Sequence, residues 1–210
     1  MRYFLIGFII FGITNTLFSQ LDDAIQFYES LNEGVDEIWA MHDETNLAKE
    51  KTNLNQLSRM LADIDETELS TQEMINKELL TLLVDDRLFH LTFNSHTFPL
   101  NAEGGFLADM VYNIRGTLFQ TDEDYENYLI KLNAIPAYFD QRISQMQEGQ
   151  QNGKSSPKLI TQNCITLIDL LLETSPEQTY FAQVGTNQSQ RNEISNVVLL
   201  EVFPAYEVLK

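Results

Sequence analysis

Ser70-Thr71-Gln72-Glu73-Met74-Ile75-Asn76-Lys77-Glu78-Leu79-Leu80-Thr81-Leu82-Leu83-Val84-Asp85-Asp86-Arg87-Leu88-Phe89 reads as one helix with a marked start. Ser70 and Glu73 have the spacing of a capping box, in which the Ser hydroxyl accepts from the Glu backbone N–H and the Glu side chain reaches back. Ile75, Leu79, Leu82, Leu83 and Phe89 then recur at helical spacing as an apolar stripe.

The same periodicity extends in both directions. Leu21, Ala24, Ile25, Tyr28 and Leu31 form one upstream stripe, and Leu54, Leu57, Leu61 and Ile64 form another. Downstream, residues 94–105 read as a loop, with Pro99 and the Gly104-Gly105 pair as breakers, and a helix follows over 106–114. Thr121 and Asp124 predict a second capping pair. Pro136 marks a break or kink, and Gly153 a helix stop. Ser156-Pro157 predicts a restart, as N-cap and first helical residue. Residues 174–189 are polar and read as loop. Ile194, Val197, Val198, Val202, Tyr206 and Leu209 form a last stripe, with Pro204 inside it as a kink or a source of an unpaired carbonyl. No alternating strand pattern with hairpin turns occurs. The predicted fold class is all-α, an irregular helical bundle.

At 43% hydrophobic and 10% aromatic residues, the 210-residue chain can build a packed core. Its formal net charge of −18 repels phosphates, so nucleic acid is not an expected partner. Met1-Arg2, the apolar run over residues 3–13 and the small polar residues up to Ser19 form a secretory leader pattern, with cleavage expected near Ser19–Gln20. Residues 1–19 are therefore read as signal peptide and residues 20–210 as the helical domain, exported to the periplasm or beyond. No cysteine lies near the end of the leader to take a lipid, and no stable membrane anchor is expected after cleavage. An uncleaved anchor is the competing reading.

The residues that could carry chemistry are few. Cys164 is the single cysteine and sits among Leu159, Ile160, Leu167, Ile168 and Leu171, the setting of a core thiol; a nucleophile is the alternative. The histidines are His42, His90 and His96, and none belongs to an H-E-x-x-H helix. Asp86 and His90 are four apart and could share a metal, or simply pair on a surface. Asp122, Glu123, Asp124 and Glu126 crowd a helix start, which the dipole favours; a cation site is the other reading, without the sharp Gly turn that calcium loops use. Trp39, Tyr125, Tyr128, Tyr138 and Tyr206 could line a groove or fill a core. No catalytic, cofactor-binding or metal-ligating residue is assigned.

From Ile75 onward, several pieces in order resemble the bacterial domain of unknown function 885 family. They are Ile75-Asn76-Lys77-Glu78-Leu79-Leu80, then Phe98-Pro99-Leu100-Asn101 with Gly104-Gly105. Glu123-Asp124-Tyr125-Glu126-Asn127-Tyr128-Leu129 follows, with Leu132, Ile135-Pro136, Tyr138 and Asp140-Gln141. Gly149, Gly153, Ser156-Pro157-Lys158 and Pro204-Ala205-Tyr206 with Leu209 complete the set. The family usually carries a longer segment where residues 45–53 stand here. The resemblance implies a zinc-dependent, peptidase-like hydrolase when full length, with its metal ligands on a C-terminal histidine-rich helix. These residues resemble the N-terminal half, so zinc is implied only for longer relatives, and the expected partners are the remaining half and a peptide-like substrate. A self-contained extracytoplasmic binding module is the alternative. An incomplete domain would leave Val197, Val198, Val202 and Leu209 partly exposed and prone to association.

Overall fold

The computed structural model describes residues 20–32, Trp39 and 44–210, and among them the regular structure is entirely helical. The helices are α1 (Gln20–Asn32), α2 (Glu44–Ala62), α3 (Thr71–Phe93), α4 (Phe106–Arg115), α5 (Asp122–Asn133), α6 (Ile135–Gln151), α7 (Lys158–Leu172), α8 (Tyr180–Gln183), α9 (Gln188–Val197) and α10 (Phe203–Leu209). An irregular all-α bundle is thus the observed class. The leader residues 1–19 and His42 lie outside the described residues.

Two compact units divide the chain. One holds α1, α2 and α3; the other holds Trp39 and residues 94–210. In the first unit Leu21, Ala24, Leu54, Leu57, Leu61, Ile64, Leu80 and Val84 form the core. The capping box is present: Ser70 N–H donates to Glu73 Oε2 at 2.8 Å, and Glu73 N–H donates to Ser70 Oγ at 3.3 Å. An apolar stripe is expected to face a core. Here α3 buries Leu80 and Val84 instead, and Ile75, Leu79, Leu82, Leu83 and Phe89 are exposed. Periodicity locates a stripe but does not say which of two apolar faces is covered.

In the second unit Phe139, Phe181, Met110, Ile114, Leu132, Ile135, Ile194 and Val198 are fully buried. α5 opens on a capping box at Thr121 and Asp124, and the chain turns at Ala134 so that Pro136 falls in the first turn of α6, where its missing N–H needs no partner. Residues 174–189 are not a plain loop. A 3₁₀ turn (Pro176–Gln178) and α8 lie there, and Phe181 and Ala182 are buried. The segment's polarity hides two residues that anchor it.

The last stripe contains a π turn, Val198–Val202, between α9 and α10, in which Phe203 N–H donates to Val198 O. Ile194, Val198, Val202 and Tyr206 are all buried, four residues apart throughout. Four-residue spacing drifts around an ordinary α-helix, and the wider turn brings the side chains back into line. Pro204 then sits in the first turn of α10. Val198 and Val202 are 0% exposed, so the expectation that they would be left bare is corrected; Val197 and Leu209 are partly buried.

Candidate functional site

Four of the sequence pieces that carry the family resemblance meet at one place, where residues 94–105 lie on the turn between α6 and α7. The segment begins at Asn94, whose left-handed backbone (φ 55°) lets its carbonyl accept from both Thr97 N–H (3.0 Å) and Thr97 Oγ1 (2.8 Å). Buried Thr97 then presses its own carbonyl onto α6 at Gly149, where a Cβ would come within 2.4 Å of it. Further along, Asn101 Oδ1 accepts from the backbone N–H of Glu103 and of Gly105, both at 2.9 Å, and folds the chain over. Gly105 has φ 60°, and a Cβ there would stand 2.0 Å from Pro99 O. No side chain fits that space.

The other wall is the end of α6. Gly153 N–H donates to Gln150 O (3.1 Å) and Lys154 N–H to Gly149 O (2.7 Å), with Gly153 at φ 71°; these are the two bonds of a Schellman stop. α7 begins at Lys158 with Pro157 as its N-cap, one residue later than expected. Ser156 is not the cap. Its hydroxyl donates to Leu100 O at 3.0 Å and ties the turn to the loop.

Beside this clamp lies an open groove of about 280 Å³. Its lining combines the apolar Phe98, Leu100, Ile143, Met146, Val208 and Leu209 with the polar Thr97, Gln147, Gln150, Ser155, Ser156 and Thr161. The lining contains no charged side chain. Amides and hydroxyls both donate and accept, so the groove suits neutral hydrogen-bonding groups beside an apolar one.

Arg142 lies on the same helix and is only 5% exposed. Its Nη1 donates to Gln145 Oε1 (3.1 Å) and its Nη2 to the Tyr138 hydroxyl (3.0 Å). The guanidinium stands over the rings of Tyr138 and Phe106, at 5.0 and 5.5 Å. Trp39 stacks on Tyr138 with ring centroids 5.5 Å apart and donates to Lys131 O at 2.9 Å. Arg142 Nε and Gln141 Oε1 are buried without a hydrogen-bond partner. His96, partly buried in the loop, has its pKa held below the usual value by burial; Glu148 opposes this, while Arg142 and Lys154 add to it. Deeper still, the Tyr206 hydroxyl meets that of Tyr180 at 3.2 Å and donates to Met110 Sδ at 3.4 Å. Burial pushes Tyr206 well above its ordinary pKa and Tyr180 up to about 12, so both stay neutral in water.

The residues weighed for chemistry are scattered. Asp86 and His90 pair at 3.8 Å with both side chains more than half exposed. No third donor joins them: among the described residues no group of three or more His, Cys, Asp or Glu could hold a metal. Asp86 and His90 by themselves fall short of the about three protein ligands that a catalytic zinc takes. Asp124 accepts from the N–H groups of Gln120 (2.9 Å) and Thr121 (2.7 Å), and these bonds lower its pKa. It is a cap. Cys164 is buried in the core with its thiol pushed up by burial, the opposite of an activated nucleophile. Trp39, Tyr128, Tyr138 and Tyr206 are core residues, and Tyr125 packs at its edge. Sequence reading passed over Arg142, and it gave Gly149 only as part of the resemblance, without its contact to Thr97. The one available signal was a charged residue four places after Tyr138, in the register of an apolar face.

Fold and site together define a helical protein that clamps a Gly-rich loop onto a helix end beside a neutral groove, with no convergent metal donors among the described residues. The chain belongs to the family of bacterial proteins of unknown function DUF885, which it matches over residues 28–210, well upstream of Ile75 where the resemblance was first apparent. No curated protein matches it. Among solved structures it is similar to a crystal structure described as that of a lipoprotein from Colwellia psychrerythraea, with a TM-score of 0.68 and 18% identity. The match covers 79% of this chain and 32% of that one, so it shows the fold, and the chain spans well under half of that protein's length. No described helix is long and apolar enough to cross a membrane.

Proposed function

We propose that this chain is an exported, non-catalytic helical part of the DUF885 system. In this reading it supplies a scaffold and a ligand-facing wall, while zinc-dependent, peptidase-like hydrolysis belongs to sequence that longer relatives carry elsewhere. One observation carries the reading. The residues that mark the family near the groove (Pro99, Gly105, Gly149, Gly153 and Ser156) are all used for backbone contacts, which supports a scaffolding role for them. Export is supported by the leader pattern of residues 1–19 and by the description of the similar structure as a lipoprotein. Mass spectrometry of the protein recovered from a bacterial periplasm is expected to give a chain starting near Gln20. An intact Met1 in the cytoplasmic fraction would contradict export.

The groove favours a second reading, a self-contained binding module. The experiment that separates the two uses mixed short peptides with the purified chain. Scaffold function expects no cleavage and no thermal shift. A module expects no cleavage but a shift that is lost when Ile143→Arg fills the groove. Cleavage by the chain alone would refute both.

A further inference from the structure

We draw no further inference here: the strongest candidate, the open groove beside the turn between α6 and α7, belongs to the site already described, and nothing in the structure shows what covers it.

Discussion

Gly105 and Gly153 both have left-handed backbone, yet they do different jobs. At Gly105 a Cβ meets the Pro99 carbonyl at 2.0 Å, while at Gly153 it meets nothing within 4 Å. Gly153→Ala should therefore cost about 1 kcal/mol, the left-handed penalty alone. Gly105→Ala should cost about 3 kcal/mol or more, because backbone must also move. Urea unfolding of the two variants checks the order; equal losses would mean the loop is not clamped as described. His96 is the titrating member of this neighbourhood. Burial lowers its folded pKa below 6.5, so the unfolded chain takes the proton first. The stability this leaves is fully present above about pH 6.5 and erodes as pH falls. His96→Gln should flatten the fall in melting temperature between about pH 7 and about pH 5, relative to the parent. Overlapping profiles would assign the acid sensitivity elsewhere.

The helices were legible because their starts are written in side chains. Ser70 with Glu73, and Thr121 with Asp124, satisfy backbone donors that nothing else nearby can reach. Thr121→Ala is expected to cost about 1 kcal/mol in stability. What was not legible was orientation and termination. α3 carries two apolar faces, and the pattern cannot say which is covered. Ser156-Pro157 looks like a helix start, but the hydroxyl serves Leu100 instead. In the last stripe, Pro204 predicted a kink or an unpaired carbonyl, whereas the π turn before it leaves the proline in the first turn of α10. The buried side chains, not the proline, should hold that turn. Ile194→Ala should lose about 2–5 kcal/mol, and Pro204→Ala should change stability by less than about 1 kcal/mol. Thermal or chemical unfolding of both distinguishes these; a larger loss for Pro204→Ala would place the cause in the proline.

Over the whole molecule, composition and periodicity were enough for an all-α reading, since no stretch alternates and nearly every segment repeats at helical spacing. The family was also legible, from short motifs whose physical sense appears only in three dimensions. Gly149 and Ser156 are separated in sequence from Thr97 and Leu100, and nothing local announces that they touch. Arg142 was hidden for the same reason: Phe106, whose ring its guanidinium stands over, comes from a distant part of the chain. Chemistry was the least legible, because 31 acidic residues offer many pairs and three histidines offer none at ligand spacing. The proposal that this chain holds no metal of its own is tested most directly by its zinc content. Protein loaded with excess zinc and then dialysed is expected to retain far less than one zinc per chain, with no rise in melting temperature. One zinc retained per chain, and lost in His90→Ala or Asp86→Ala, would contradict it.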